Sequence, residues 1–177
     1  MASTSRRWPV EPGQDLDAGP DAAPESVARK ILLDQLTGRA RTRSELADKL
    51  AVRNVPDDVA TRLLDRFEQV GLIDDAGFAR EWVEQRQSGR GLARRALAQE
   101  LRRKGIEEEV AREALDEIDP DDEVEAARML VRARMRSMSS LDRDKVVRRL
   151  VGMLARKGHS SSVAFRVVKE ELDSVEE

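Results

Sequence analysis

The chain lacks cysteine and tyrosine, and only 3% of its 177 residues are aromatic. Without cysteine there is no disulfide framework and no thiolate metal site. Sparse aromatic residues disfavour a β-sandwich, and no apolar run approaches the roughly 20 residues that cross a bilayer. Because 38% of the residues are charged, we predict an all-α protein with no membrane association, and the cytoplasm is the simplest expected location.

Histidine is also scarce, and the motifs of common enzymes are missing. His159 is the only histidine. It occupies an apolar position of a repeat described below, which favours a packing role over catalysis. The sequence contains no phosphate-binding G-x-x-x-x-G-K-[ST], no G-x-G-x-x-G and no H-E-x-x-H. We therefore expect no enzyme activity, no cofactor and no metal site.

Residues 1–24 contain four of the six prolines and show no helical or strand period. Ordering such a segment would not recover its entropic cost, which predicts a disordered tail. Arg6 and Arg7 precede no apolar stretch, so the segment does not resemble a secretory signal.

The rest of the chain is built from three copies of one pattern. With Leu50, Leu101 and Leu154 as equivalent positions, the copies are offset by 51 and 53 residues. Leucine also recurs four residues earlier, and aliphatic residues recur nine and fourteen residues later: Leu46, Leu97 and Leu150; Val59, Val110 and Val163; Leu64, Leu115 and Val168. A fixed period of this length indicates a tandem repeat.

Each copy contains its own helix stop and start signals. Asn54, Gly105 and Gly158 follow the leucine pairs and tolerate the left-handed conformation that ends helices. Polar or acidic residues then suit the first turn of the next helix. The pattern predicts helices over 25–37, 43–53 and 57–70, over 75–88, 92–104 and 107–118, and over 121–137, 142–157 and 160–172.

These helices predict three tandem three-helix modules with helix-turn-helix-like repeats. The predicted boundaries are 25–73, 74–119 and 120–177, where the last module has an acidic C-terminal end. Small modules bury little apolar surface alone, so contacts between neighbours should support an elongated array that binds along its length. Nothing in the pattern demands a dimer, and we expect a monomer.

Charge is segregated along the chain despite a net charge of only −3. In a helix-turn-helix protein the last helix of a module reads DNA bases, but here residues 107–118 are mostly acidic. The cations lie instead on or beside the middle helices of modules 2 and 3. We call this set the cationic ridge: Arg86, Arg90, Arg94, Arg95, Arg102, Arg103, Lys104, Lys145, Arg148, Arg149, Arg156 and Lys157.

Two interpretations of the cationic ridge remain open at this point. It is either a solvated helix surface or a contact surface for an anionic partner, which could be a nucleic acid or an acidic protein assembly. Phe78 and Trp82 lie four residues apart nearby. We interpret them as a core stripe, with a base-stacking platform as the alternative.

Residues 71–106, GLIDDAGFAREWVEQRQSGRGLARRALAQELRRKGI, resemble the signature of the RecX family of bacterial regulators. The matching positions are Asp74-Asp75, Phe78-Ala79, Arg86, Gly91, Leu101 and Lys104-Gly105-Ile106. The resemblance extends over roughly 25–172, since the family is also built from tandem three-helix modules. His159 departs from the family, where an aromatic residue commonly follows the third Lys-Gly pair, and so does the proline-rich tail.

The resemblance implies a function that the helices alone do not indicate. RecX-like proteins are not enzymes. They bind the RecA recombinase, typically as its filament on DNA, and suppress filament growth, ATP hydrolysis, strand exchange and the co-protease activity that triggers the SOS response. We therefore expect RecA and the RecA–DNA filament as partners, contacted through the cationic ridge. The alternative is a protein that binds DNA directly without an obligate protein partner.

Overall fold

The structure is a computed structural model that describes residues 23–138 and 142–176. These residues form nine α-helices and no strand: Pro24–Leu36 (α1), Arg43–Val52 (α2), Asp57–Gln69 (α3), Asp75–Arg90 (α4), Arg94–Arg103 (α5), Glu108–Asp116 (α6), Pro120–Met135 (α7), Arg143–Arg156 (α8) and Ser161–Glu176 (α9). Apart from Ala23 and Pro24, the predicted disordered tail lies outside the described residues. None of the described helices is both long and apolar enough to span a bilayer.

The helices pack mainly in consecutive threes, which we call module 1 (α1–α3), module 2 (α4–α6) and module 3 (α7–α9). Each module surrounds its own cluster of buried aliphatic side chains. The all-α fold of three tandem three-helix modules is therefore confirmed.

The leucine pairs of the middle helices form the centre of each cluster. The side chains of Leu46, Leu50, Leu97, Leu101, Leu150 and Leu154 have no solvent exposure. Their spacing of four residues places each pair on one helical face, and burial of each leucine contributes about 2 kcal/mol. On α5 and α8 the opposite face is consequently left mainly to charged residues.

The middle helices end as the sequence predicts. Asn54, Gly105 and Gly158 all have positive φ angles, of 53°, 72° and 91°. At the two glycines a side chain would also collide with the preceding module, because an added Cβ would lie 2.2 Å from Ser44 Cβ or 2.5 Å from Ala96 N. Asn54 belongs to the first described module, so no earlier described module packs against its turn.

The contact between modules is itself repeated. The carbonyl of Lys104, at the end of α5, accepts a hydrogen bond of 2.7 Å from Thr42 Oγ1, at the start of α2. The carbonyl of Lys157, at the end of α8, accepts one of 2.9 Å from the backbone N–H of Ala93, at the start of α5. The C-terminus of α5 thus abuts the N-terminus of α2, and the C-terminus of α8 abuts the N-terminus of α5. Each contact brings opposite ends of two helix dipoles together.

Two helices extend further than their sequence pattern predicts. Helix α4 continues through Gly89 to Arg90 and stops at Gly91, whose φ is 60°. Gly89 has open space beside it, whereas a Cβ on Gly91 would lie 2.7 Å from Leu130 Cδ1. The left-handed backbone at 91, together with the close approach of Leu130, therefore favours glycine there, and neither condition holds at 89.

Helix α9 runs past the predicted end at residue 172, and ion pairs from α7 hold it just before that point. Arg132 Nε donates to the buried Glu171 Oε2 at 2.7 Å, and Arg128 Nη2 donates to Glu170 Oε2 at 2.6 Å. The hydrogen bond from Arg132, followed by that from Arg128, lowers the pKa of Glu171 even though burial opposes the shift. The carboxylate is therefore kept ionised between the two helices.

Candidate binding surface

The exposed part of the cationic ridge lies along α5 and α8. Its members are Arg95, Arg102 and Arg103 on α5 and Lys145, Arg148, Arg149 and Arg156 on α8, all of them exposed. Arg90, in the last turn of α4, is exposed too. Within the described part of the molecule none of these side chains forms an ion pair. They face outward because the buried leucine pairs occupy the inner face of the same helices.

Four other members of the cationic ridge make contacts inside the molecule. They are Arg86, Arg94, Lys104 and Lys157. Arg94 Nη1 pairs with Asp116 Oδ1 at 2.9 Å, and Lys157 Nζ donates to the carbonyl of Arg90 at 2.5 Å. The sequence pattern placed all twelve cations on one surface. The structure divides them into exposed cations and cations that contact other groups of the folded protein.

Two of these cations lie over an aromatic pair. The rings of Phe78 and Trp82 stack with centroids 5.5 Å apart against the core of module 2. Arg86 Cζ lies 4.1 Å and Lys104 Nζ 4.8 Å from the Trp82 ring centroid. Trp82 Nε1 donates to Glu100 Oε2 at 2.8 Å. The pair therefore packs as the predicted core stripe, with its ring face occupied by the protein's own cations.

Lys104 also joins module 2 to module 1. Its Nζ donates to Glu45 Oε1 at 2.6 Å, and Glu45 forms a capping box with Thr42 at the start of α2. Burial alone would raise the pKa of Glu45, but hydrogen bonds from Lys104 and from the Thr42 backbone N–H lower it overall. Lys104 is thus a structural residue of the module junction.

The surface of α5 borders a groove of about 700 Å³ with a mixed lining. Ala98, Ile106 and Ala111 supply apolar surface, and Arg95 and Arg102 supply positive charge. Carboxylates line the same groove, namely Glu108, Asp116 and Glu123. This side of module 2 therefore offers apolar contacts together with both signs of charge, as protein interfaces commonly do.

The surface of α8 borders a different groove, which we call the α8 groove. Its volume is about 740 Å³, and five cations line it: Arg134, Lys145, Arg148, Arg149 and Arg156. Met138 and Met153 complete the lining, so no carboxylate is among the described residues that line it. The sequence analysis missed Arg134 and the two methionines, because they come from α7, from the residues after it and from the less polar side of α8.

Profiles of three RecX domains match the chain in order. The first three-helix domain of RecX matches residues 28–67, the second matches 74–115, and the third matches 121–168. The chain belongs to the RecX family.

Curated relatives and solved structures agree with this membership. The "Regulatory protein RecX" of Streptomyces lividans is 50% identical over 97% of this chain and 87% of its own length, and that of Thermobifida fusca is 48% identical over 92% and 89%. The crystal structure of RecX from Lactobacillus salivarius shares the fold at 22% identity, with a TM-score of 0.76 over 83% of this chain and 96% of its own.

His159 is a buried residue at the junction of modules 2 and 3. Its side chain is only 4% exposed, and Nε2 lies 3.1 Å from the carbonyl of Gly91, in module 2. Because a carbonyl only accepts, Nε2 carries the proton, and Nδ1 is buried without a partner. Burial lowers the pKa of His159, although the hydrogen bond with Gly91 opposes the shift. The imidazole therefore helps to join modules 2 and 3 in its neutral form.

Across the residues that the structure describes, no group of three or more His, Asp and Glu side chains is arranged to hold a metal ion. The candidate features for binding are the exposed cations of α5 and α8 and the two grooves beside them.

Proposed function

We propose that this RecX-family chain is a negative regulator of the RecA recombinase. It binds RecA or the RecA nucleoprotein filament and inhibits ATP hydrolysis, strand exchange and the co-protease activity of the SOS response, thereby regulating DNA repair. The proposal is carried by the exposed cations of α5 and α8 that form no ion pair with a described residue, in a chain matched by all three RecX domains.

The geometry suits a partner that is itself repetitive. A helical filament presents the same surface at regular intervals, and repeated middle helices can contact successive copies of it. Linked contacts of this kind give a higher affinity than each contact alone, because the second contact is intramolecular. The role requires binding and not chemistry, and the curated relatives are named as regulatory proteins.

The direct test measures ATP hydrolysis by the cognate recombinase on single-stranded DNA while this protein is titrated in. We expect the rate to fall towards the DNA-free background as the protein saturates its filament sites. An unchanged rate at saturating protein would contradict the proposal and would favour a passive helical scaffold.

The second candidate function is direct DNA binding without an obligate protein partner, which the same exposed cations favour. Insertion of α6 into a major groove does not support it, because Glu108, Glu109 and Glu113 of α6 are exposed and would repel phosphates. Affinities for naked DNA and for the filament, measured in one buffer, separate the two candidates. Tighter binding to the filament supports the regulator, and equal affinities favour the direct DNA-binding protein.

A further inference from the structure

The charged residues that line the α8 groove in the described structure are all cations, whereas the groove beside α5 is lined by residues of both charges. Five cations from two segments of module 3 converge on one concavity of about 740 Å³. On α5, by contrast, the nearby acids Asp116 and Glu123 bind the side chain and the backbone N–H of Arg94 at 2.9 and 3.0 Å. Equivalent positions of the repeat therefore face different chemistry in the two modules.

The cations of the α8 groove have no counter-charge among the described residues of its lining. Arg134, Lys145, Arg148, Arg149 and Arg156 are exposed and form no ion pair in the described part of the protein. Arg148 Nε contacts only a backbone oxygen, that of Asp144, at 3.4 Å. Like charges held together repel one another, and a bound anion removes that repulsion. The groove is thus built to attract an anion that carries several charges.

We propose that the α8 groove binds the phosphate backbone of single-stranded nucleic acid. Guanidinium groups match the oxygens of phosphates bidentately, and four of the five cations are arginines. A single strand is flexible and can bring successive phosphates to the cations of one concave groove, whereas a duplex is stiff and holds its phosphates at fixed positions. An acidic protein surface would gain little apolar contact here, because Met138 and Met153 are the only apolar residues of the described lining.

The lining also predicts how the strand is bound. Proteins that stack bases use aromatic side chains, and the described lining of the α8 groove has none. Binding should therefore depend on phosphates and not on base identity. The logarithm of the binding constant should fall with the logarithm of salt concentration by about 0.7 for each phosphate neutralised on a single strand.

The experiment uses the full-length protein and fluorescently labelled oligonucleotides in fluorescence anisotropy, without recombinase. The variant Arg148→Gln/Arg156→Gln removes two cations from the α8 groove. We expect it to bind a mixed-sequence single strand roughly tenfold more weakly and to reduce the magnitude of the salt slope by about 1.4. Wild-type protein should bind poly-dT and poly-dA equally and a duplex of the same length more weakly.

Two exposed arginines outside the cationic ridge supply a matched control. Arg66→Gln/Arg80→Gln, on α3 and α4, changes the net charge by the same amount. This control should keep the wild-type affinity for single strands within about twofold. Equal weakening by the two double variants would overturn the inference, because attraction would then depend on net charge and not on the α8 groove.

Two other results would also overturn it. One is an unchanged salt slope in the Arg148→Gln/Arg156→Gln variant. The other is displacement of the oligonucleotide by poly-glutamate at matched charge concentration, which would identify the α8 groove as a site for acidic protein segments. Because recombinase is absent, failure here leaves the inhibition of ATP hydrolysis to be judged separately.

Discussion

The leucine pairs of the middle helices are among the largest fully buried side chains of the protein, and each lies in the core of its own module. Leu101 has no solvent exposure and lies at the centre of the module 2 cluster. We predict that Leu101→Ala lowers the free energy of unfolding by about 2–5 kcal/mol, through lost burial and the cavity left behind. Urea denaturation followed by circular dichroism measures this loss.

The matched control for that truncation is Leu33→Ala on α1, because 48% of the Leu33 surface is exposed. Its cost should be well below that of Leu101→Ala, since little burial is lost. Similar costs for the two variants would mean that Leu101 is not packed as the structure shows.

His159 gives the joint between modules 2 and 3 a dependence on pH. Its folded pKa lies below the usual value of 6.5, mainly because of burial. Lys157 lowers it further, whereas Gly91 and Glu123 act in the opposite direction. The unfolded chain therefore takes up a proton first as pH falls, so this stability is complete above about pH 6.5 and is lost below it.

His159→Phe keeps an aromatic ring at this position and removes this titration. We predict that the free energy of unfolding falls less between pH 7.5 and pH 5 in the variant than in the wild type. Urea denaturation at several pH values measures both curves, and all other titrating groups are shared. Parallel curves would show that His159 does not titrate differently on folding.

Helices α5 and α8 end at the junctions between modules. The glycines there adopt a left-handed backbone and also pack closely against the preceding module. Gly158 has a φ of 91°, and a Cβ there would also lie 2.5 Å from Ala96 N. Gly71 has a φ of 74° but open space around it. Gly71→Ala therefore tests the backbone conformation alone, whereas Gly158→Ala tests the conformation and the contact together.

We predict that Gly71→Ala costs about 1–2 kcal/mol, from the left-handed backbone. Gly158→Ala should cost at least about 1 kcal/mol more, because α8 must also move away from α5. Denaturant unfolding of both variants gives the difference. Equal costs would mean that α8 can move away from α5 at this junction without a further loss of stability.

We expect the whole protein to bind its partner through the exposed cations of both α5 and α8. We predict that Arg95→Glu/Arg148→Glu raises the concentration for half-inhibition of recombinase ATP hydrolysis by roughly tenfold or more, because reversed charges repel an anionic partner. Helix content and the melting temperature should stay close to those of the wild type, since both residues are exposed.

A control with the same change in net charge is Arg66→Glu/Arg80→Glu, two exposed residues of α3 and α4 outside the cationic ridge. It should inhibit nearly as well as the wild type. Loss of inhibition in both double variants would argue against a localised contact surface. Unfolding of the Arg95→Glu/Arg148→Glu variant would mean that these side chains do not face solvent.

The sequence by itself determined the three-module helical array. The leucine pairs, the left-handed helix ends and the polar starts of the next helices are local patterns, because helical periodicity links residues only three or four positions apart. The resemblance carried by residues 71–106 pointed to the family that the domain profiles then matched.

Only the tertiary structure decided which cations remain available. Lys104 is paired with Glu45, 59 residues earlier, whereas Arg148 and Arg156 meet no carboxylate of the residues that the structure describes. The helical pattern of the sequence does not distinguish an arginine or lysine that forms an ion pair from one that does not. The direction in which α5 and α8 meet helices of other modules fixes their partners, and that packing involves residues far apart along the chain.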